Sequence, residues 1–322
     1  MLRVINLSFS YGDIKVLNQI SFNVSKGDIV SITGKSGVGK TTLLSLIFGY
    51  LEPDNGECYW QNQKIKPPSE VLVPGKKGIN FLSQELDLMP YTTVFSNISK
   101  KLSRAFPEEN QKRCDELLAV VNLLDFKDVL VKNLSGGQKR RVAIAQVLAD
   151  KPELLLLDEP FNFIDYQIKD PLRRSFFQYL KSNEITCVFV SHESQEFLAF
   201  TDQIIVLNDK KIMKNTSPQQ LYEQPERKII AKLLDDVNII QLEDKSNAVA
   251  VYPHELQVSN QTSNKTFDVK LTNIYYQGYN FLNRGVDKHQ KSYMFLSNQR
   301  LDINRTYHLK VSNRMALKRF VI

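Results

Sequence analysis

Three glycines within six positions mark one short loop of the chain. Residues 33–42 read TGKSGVGKTT, although the whole chain has only 13 glycines among 322 residues. The stretch from Gly34 through Gly39 to Lys40 and Thr41 matches the pattern G-x-x-x-x-G-K-[ST]. In this pattern backbone N–H groups surround a phosphate, the lysine reaches the β and γ phosphates, and the hydroxyl ligates Mg²⁺. The loop therefore predicts a nucleoside triphosphate site.

A pair of acidic residues could serve the same nucleotide. Residues 154–160 read LLLLDEP, an apolar run that predicts a buried strand with Asp158 and Glu159 at its end. Beside a phosphate loop, the first carboxylate can hold Mg²⁺ and the second can polarise an attacking water. Taken alone, a plain glycine-rich turn and a solvated acidic turn are the simpler interpretations of these stretches. Their occurrence together favours a site of nucleotide hydrolysis.

The stretch LSGGQ at residues 134–138 is a third candidate site. Ser135 and two glycines precede the helical pattern QKRRVAIAQVLA, so the stretch predicts a helix N-terminus that binds an anion. One nucleotide does not need two phosphate-binding loops from a single fold. We therefore expect a second copy of the chain to contribute this stretch, with nucleotide held between the two copies.

The composition is that of a folded protein without a membrane span. Of the residues, 42% are hydrophobic and 24% are charged. No apolar run approaches the roughly 18 to 20 residues that a spanning helix needs, and the first residues show no export signal. Cys58, Cys114 and Cys187 lie far apart without metal-ligand spacing, which indicates idle thiols in a reducing cytoplasm.

The net charge of +7 is concentrated late in the chain. Residues 236–322 carry 12 Lys and Arg against 7 Asp and Glu, or +5, which leaves +2 for residues 1–235. A basic C-terminal part could contact nucleic acid or anionic lipid, although a modest excess of positive charge also serves solubility.

The order of the patterns predicts an α/β domain followed by a small all-β domain. The apolar strands at 154–158 and 185–192 each follow helical sequence, so we expect a mostly parallel sheet covered by helices. Beyond residue 236 the segments are short and alternating, without a long helix. The predicted domains are 1–235, with a helical subdomain at about 85–150, and 236–322.

These motifs in this order resemble those of the ATP-binding-cassette (ABC) ATPases, which have the P-loop NTPase fold, over residues 1–235. The resemblance implies that the chain hydrolyses ATP with the cofactors ATP and Mg²⁺. The implied nucleotide-binding residues are Tyr11, which would stack on adenine, and Gly34, Lys35, Ser36, Gly37, Val38, Gly39, Lys40, Thr41 and Thr42. The implied Mg²⁺ ligands are Thr41, Gln84 and Asp158.

The same resemblance assigns the remaining roles. The implied catalytic residues are Glu159, which activates water, His192, which touches the γ phosphate, and Gln84, which senses Mg²⁺ and the membrane partner. The implied signature residues, contributed to the nucleotide of the other copy, are Leu134, Ser135, Gly136, Gly137 and Gln138. Asp165 is the implied dimer contact.

The C-terminal part is similar to the short oligonucleotide-fold-like (OB-like) TOBE domain of importer cassettes. In VYPHEL at 251–256, Tyr252 stands where such domains usually carry arginine, and His254 stands where they carry an acid. The resemblance implies a peripheral subunit at the cytoplasmic face of the cell membrane. It would dock to transmembrane permease subunits near residues 85–98 and work with a solute-binding protein. Importers of this branch carry spermidine/putrescine, ferric iron, sulfate, molybdate or sugars such as maltose.

Three other assignments stay open on the sequence. A soluble cassette ATPase acting on nucleic acid or ribosomes would suit a basic chain, but such proteins generally carry two cassettes or a long coiled coil. An exporter cassette would normally lack the C-terminal β-domain. A nucleotide-binding regulator without catalysis would not need Glu159 and His192. We expect an importer subunit that has no nucleic-acid partner.

Overall fold

The computed structural model describes residues 1–241, 248–259, 266–313 and 316–321. The chain divides into two compact units, Met1–Pro218 and Gln219–Ile322. The sequence grouped residues 219–235 with the first domain, whereas the structure groups them with the second unit. Within the part of the chain that the structure describes, no helix has both the length and the apolar character needed to cross a membrane.

The first unit, all of which the structure describes, combines two sheets with six helices. Its strands are β1 (Leu2–Tyr11), β2 (Ile14–Val24), β3 (Ile29–Thr33), β4 (Asn55–Trp60), β5 (Gln63–Lys64), β6 (Ile79–Leu82), β7 (Leu154–Asp158), β8 (Thr186–Val190), β9 (Gln203–Asn208) and β10 (Lys211–Thr216). Its helices are α1 (Lys40–Phe48), α2 (Val94–Ser99), α3 (Pro107–Val120), α4 (Gly136–Leu148), α5 (Tyr166–Ser182) and α6 (Ser194–Phe200).

The central sheet has the strand order β10-β9-β3-β8-β7-β6. All neighbouring strands in it are parallel except β10, which is antiparallel to β9. Every residue of β3, β7 and β8 is buried, because helices cover one face of this sheet and α1 with the antiparallel sheet covers the other. The predicted mostly parallel sheet is confirmed. A second, antiparallel sheet of order β2-β1-β4-β5, which the sequence patterns did not assemble, lies in the same unit.

The four leucines before Asp158 explain how β7 joins two cores. Leu155 and Leu157 pack in the core that contains the helices between β6 and β7. Leu154 and Leu156 point to the opposite face, into the core shared with α1 and the antiparallel sheet. Because successive side chains of a strand face opposite sides, a strand with two buried faces must be apolar at every position. The acidic residues can therefore begin only where the strand ends.

The second unit contains two short helices and two antiparallel sheets in its described part. The helices are α7 (Pro218–Glu223) and α8 (Lys228–Leu234). The strands are β11 (Asn238–Gln241), β12 (Ala248–Val251), β13 (Leu256–Ser259), β14 (Thr266–Tyr276), β15 (Phe281–Val286), β16 (Ser292–Ser297), β17 (Thr306–Val311) and β18 (Phe320–Val321). The sheets have the orders β11-β12-β18 and β13-β17-β14-β15-β16. The predicted β-rich C-terminal module is confirmed, and its assignment to the TOBE domains stays a prediction.

Tyr252 of the VYPHEL stretch is packed by an arginine from the far end of this unit. The Tyr252 ring is fully buried and stacks on Tyr222, with centroids 4.8 Å apart. The Arg319 guanidinium lies over the Tyr252 ring at 4.6 Å from its centroid and donates to Glu255 Oε2 at 2.7 Å. Tyr252 thus occupies the position where the resemblance expected an arginine, and Arg319, which is distant in the sequence, packs against it.

Candidate functional site

Two glycines of the phosphate loop are required by its close packing. Gly34 has φ 145°, and a Cβ there would lie 2.3 Å from the backbone oxygen of Leu207. Gly39 has φ 101°, and a Cβ there would lie 2.8 Å from Val16 Cγ1. No L side chain fits either position without displacing these neighbours. The loop from β3 to α1 therefore keeps backbone N–H groups at a helix N-terminus, the arrangement that binds phosphate.

Lys40, the first residue of α1, is held beneath this loop. Its Nζ donates to the backbone oxygens of Gly34 and Lys35, each at 2.9 Å, and the side chain is 8% exposed. Burial lowers the pKa of Lys40, while the nearby carboxylates of Glu159 and Asp158 act to raise it. The ammonium is thus fixed by the loop that it is expected to serve, close to the candidate catalytic acid Glu159 and the candidate metal ligand Asp158.

Thr41 and Asp158 form the candidate Mg²⁺ site. The Thr41 hydroxyl donates to Asp158 Oδ2 at 2.8 Å, and Asp158 is fully buried. Burial raises the pKa of Asp158, and the Thr41 hydrogen bond opposes this. Asp158 Oδ1 is a buried oxygen without a hydrogen-bond partner among the described residues. A hydroxyl beside an unpartnered carboxylate oxygen fits Mg²⁺, which prefers oxygen ligands and retains waters and substrate phosphates.

Glu159 follows at the exit of β7, where its backbone has φ 48°. Its N–H donates to the Val190 backbone oxygen at 3.1 Å, so the end of β8 fixes the turn. Its Oε1 lies 3.3 Å from His192 Nδ1. The Glu159 side chain is 22% exposed and the His192 side chain 56%, so both can reach a bound substrate. The arrangement offers a carboxylate that can accept a proton from water and an imidazole that can contact a phosphate.

Asn162 is a site residue that the sequence analysis missed. Its carboxamide donates to Glu159 Oε2, and its backbone N–H donates to the Glu159 backbone oxygen at 3.2 Å. The Glu159 carboxylate is therefore held from one side by an amide and faces an imidazole on the other. The sequence offers one signal for this role, a polar residue three positions after the acid in an otherwise apolar turn.

A buried ion-pair network, also missed from sequence, holds the loop that carries His192. Arg173 on α5 is 2% exposed, and its Nε donates to Glu196 Oε1 at 3.0 Å. The same guanidinium pairs with Glu193, which also pairs with Lys169. The hydroxyl of Ser191 accepts from the Glu193 N–H at 3.0 Å and donates to Glu196. Because the network touches the residues on both sides of His192, it fixes the backbone from which the imidazole projects.

The signature stretch starts α4 with a capping box. The Ser135 hydroxyl accepts from the Gln138 N–H at 3.2 Å, and Gln138 Oε1 accepts from the Ser135 N–H at 2.8 Å. A Cβ on Gly136 would meet nothing within 4 Å, whereas one on Gly137 would lie 2.9 Å from the backbone oxygen of Phe163. The preceding Leu134 is buried. The stretch thus packs against the turn after Glu159 on one side and is open on the other.

The other predicted residues lie at the exposed margins of this site. Tyr11 ends β1 with its ring 54% exposed and edge-on to Phe9 at 4.7 Å. Gln84 lies in the exposed loop after β6, and Asp165 is an exposed residue just before α5. The roles of these three residues, in adenine stacking, metal sensing and dimer contact, stay predictions.

Comparisons with known proteins agree with this geometry. A family model described as ABC transporter matches residues 17–162. The Spermidine/putrescine import ATP-binding protein PotA of Legionella pneumophila strain Philadelphia 1 is 35% identical over 236 residues, which are 73% of this chain and 64% of that relative. The PotA protein of strain Lens is also 35% identical, with the same coverage. The chain thus spans about 64% of the length of these relatives.

Solved structures are also similar to this chain. The ATP-binding cassette MJ0796, in a post-hydrolysis dimer bound to ADP and Pi, has a TM-score of 0.60 at 28% identity and covers 68% of this chain and 99% of its own. The cassette MJ1267 in its ADP conformation has a TM-score of 0.61 at 25% identity, over 72% of this chain and 97% of its own. The predicted cofactors, ATP and Mg²⁺, are those with which such cassettes work. Residues 17–162 match the ABC transporter family, and the N-terminal unit has the P-loop NTPase fold of an ATP-binding cassette.

Proposed function

We propose that this protein is the ATP-hydrolysing subunit of a membrane importer and works as two copies around two Mg·ATP. The observation that carries the proposal is the Thr41–Asp158 hydrogen bond at 2.8 Å, which joins the phosphate loop to the strand that ends in Glu159. Phosphate binding, a metal site and a general base therefore lie within one cluster of side chains. The fold alone would not argue for catalysis, but this cluster does.

ATP binds through the phosphate loop and Lys40, which neutralises charge on the β and γ phosphates. Thr41 and Asp158 would hold Mg²⁺, with Gln84 as a further predicted ligand. Bound there, Mg²⁺ supplies charge neutralisation for the phosphates as they react. Tyr11, at the end of β1, is exposed enough to stack on the adenine.

Glu159 accepts the proton of the attacking water, and His192 contacts the γ phosphate. The 3.3 Å separation between His192 Nδ1 and Glu159 Oε1 supports this pairing, because it lets the two groups act on the same phosphate. Asn162 holds the carboxylate in a fixed orientation, which limits the rearrangement needed before proton transfer.

A second copy contributes the signature stretch. A Cβ on Gly136 would meet no atom within 4 Å, so a nucleotide phosphate bound to the other copy can approach the N-terminus of α4 without a steric barrier. The Ser135 hydroxyl accepts a hydrogen bond within its own chain and keeps its proton for a second partner. Asp165, exposed before α5, is the proposed contact between the two copies.

The proposed membrane partner docks on the surface of residues 85–98. Asn97, which is fully buried, gives this surface a fixed shape: its carboxamide donates to Met89 O at 3.1 Å and to Thr92 Oγ1 at 2.8 Å, and its Oδ1 accepts from the Met89 N–H at 2.7 Å. Tyr91 in the same segment is 77% exposed. A rigid surface with a projecting aromatic ring suits a permease loop.

The proposed cargo is a polyamine, because the relatives are named for spermidine/putrescine import. The proposed system adds permease subunits and a solute-binding protein, with this chain at the cytoplasmic face of the membrane. The C-terminal β-unit is proposed to be a TOBE-like domain.

The test is affinity purification of the Glu159→Gln protein with Mg·ATP from native membranes. This variant keeps the nucleotide contacts but lacks the general base, so it is expected to stay in the closed, ATP-bound dimer. Recovery of a multi-spanning permease supports the importer, and binding of radiolabelled spermidine by the recovered complex supports polyamine cargo. Recovery of ribosomes or nucleic acid without a membrane protein contradicts the proposal, and full ATP turnover by the variant contradicts the assignment of Glu159.

A further inference from the structure

We propose that Arg140 is a positioning residue that ties the signature helix to the backbone of the catalytic turn and of the Gln84 loop. The inference rests on the proposed ATPase function. It concerns a side chain one turn into α4 that does not touch the reacting atoms. Its consequence is that the position of the Glu159 carboxylate depends on where α4 lies.

The Arg140 guanidinium donates only to backbone oxygens among its described hydrogen bonds. Three of them belong to the turn at the end of β7: Asp158 O at 2.5 Å, Glu159 O at 2.9 Å and Pro160 O at 3.1 Å. Two belong to the loop after β6: Ser83 O at 2.7 Å and Gln84 O at 3.5 Å. One side chain therefore joins three segments, which carry the signature, the Asp158–Glu159 pair and the loop glutamine.

The contact is buried and uses the full donor capacity of arginine. Arg140 is 4% exposed, and its contacts match the five N–H groups of a guanidinium in number. A buried cation costs much free energy unless it is well hydrogen-bonded. Arg140 would lose its acceptors if it moved without the segments that carry them, so it is expected to move together with them. The rigid planar fork also sets the spacing of the oxygens, which the single ammonium of lysine cannot do.

This contact acts on catalysis through the main chain. Glu159 has φ 48°, a conformation that a non-glycine residue keeps only when its surroundings hold it there. The Glu159 backbone oxygen accepts from Arg140 Nη2 and from the Asn162 N–H, at 2.9 and 3.2 Å. Without the arginine, the turn loses three of its hydrogen bonds, and the backbone from which the Glu159 side chain extends is no longer held in place.

Arg113, a residue of α3, provides a control because it contacts the opposite end of α4. It is 8% exposed, and it donates to Ala149 O at 3.1 Å and to Leu148 O at 2.6 Å. Arg113 thus also holds backbone oxygens at the C-terminal end of α4, together with the side chains of Glu116 and Tyr179, away from the catalytic turn. Its loss should cost stability without changing the geometry of Glu159.

The experiment compares Arg140→Gln, Arg140→Lys and Arg113→Gln in the full-length protein. Stability is measured by denaturant unfolding, Mg·ATP affinity with a fluorescent ATP analogue, and kcat and KM by phosphate release. Arg140→Gln is expected to lower kcat by about 10-fold to 100-fold while the affinity and KM change less than about threefold, because the reacting groups and not the binding groups are displaced. Arg140→Lys keeps the charge and is expected to recover only part of kcat.

Arg113→Gln is expected to keep kcat within about threefold at a comparable loss of stability. The inference is overturned if folded Arg140→Gln or Arg140→Lys protein turns over at the wild-type rate, or if kcat falls equally in Arg113→Gln. If Arg140→Gln does not fold, Arg140→Lys decides alone through its split between kcat and KM. Absence of ATPase activity in the wild-type protein would instead contradict the proposed function, so the two failures are distinguishable.

Discussion

The Thr41 hydroxyl donates a 2.8 Å hydrogen bond to Asp158 Oδ2, although the two residues lie 117 positions apart in the chain. Thr41 stands in the first turn of α1 and Asp158 at the end of β7, so the bond joins the phosphate loop to the catalytic strand. The second Asp158 oxygen is buried and unpartnered among the described residues. This pair is the proposed Mg²⁺ site.

Thr41→Ala should raise the Mg²⁺ concentration needed for half-maximal ATPase activity by about tenfold to a hundredfold. The alanine removes a proposed Mg²⁺ ligand and also the hydrogen bond to Asp158 Oδ2. Thr41→Ser keeps the hydroxyl and should stay close to wild type. The measurement is ATP hydrolysis across a Mg²⁺ titration at saturating ATP, and identical midpoints for alanine and serine would refute the metal site.

Asn162→Ala should lower kcat about tenfold with an unchanged KM for ATP. The carboxamide orients the Glu159 carboxylate and is not among the proposed nucleotide contacts, so its loss affects proton transfer and not binding. Asn183→Ala, which removes an exposed asparagine that donates to Tyr179 O at 2.9 Å, is the control. A parallel loss of activity in both variants, or a rise in KM for Asn162→Ala, would argue against this role.

Gly136→Ala should leave the free energy of unfolding unchanged or raised by up to about 1 kcal/mol, since a Cβ there meets nothing and alanine favours a helix. Its ATPase activity should nevertheless fall at least about tenfold, because the partner's phosphates must approach this surface. Normal turnover in this variant would contradict a signature contribution from the second copy.

Gly137→Ala should, in contrast, lower the free energy of unfolding. Its Cβ would lie 2.9 Å from Phe163 O, so the turn or the helix must shift, at a cost of about 1 to 3 kcal/mol in unfolding free energy. Denaturant unfolding followed through the single tryptophan, the buried Trp60, compares the two variants directly. Equal stability of both would show that this packing is not as close as described.

Glu193→Gln should reduce stability in a pH-dependent way. Burial alone would raise the pKa of Glu193, but Lys169 and Arg173 outweigh it and lower the pKa. A carboxylate with a lowered folded-state pKa stabilises the fold above its unfolded-state pKa of about 4.3, and this contribution disappears as the pH falls through the lowered value. The expected loss is about 1 kcal/mol at neutral pH, because the side chain keeps partial contact with solvent.

The measurement is unfolding of Glu193→Gln and wild type from neutral pH down to about pH 3, at which the two stabilities should converge. Glu184→Gln, which breaks an exposed ion pair with Lys26, should match wild type throughout. A constant difference between Glu193→Gln and wild type across the whole range would show that the ion pairs do not account for the effect.

The elements near the chemistry could be predicted because each has a local cause. A strand buried on both faces must be continuously apolar, so the run LLLLD predicts β7 and places Asp158 and Glu159 at its end. The loop before α1 needs glycines, so it is visible as a glycine cluster. The antiparallel sheet was harder to foresee, because β1 pairs with β4 across some fifty residues and nothing local encodes that partner.

The proposed chemistry can be predicted from the residues alone: a phosphate loop, an acid pair after a buried strand, a signature that implies a second copy, and a β-rich C-terminal part. Only the folded chain shows which groups hold these residues in place. Asn162 on Glu159, Arg140 on three segments, the ion pairs of Arg173 beside His192, and Arg319 over Tyr252 are all contacts of ordinary polar residues. Such residues carry no local pattern, because their roles depend on which distant backbone or side chain the fold brings within hydrogen-bond distance.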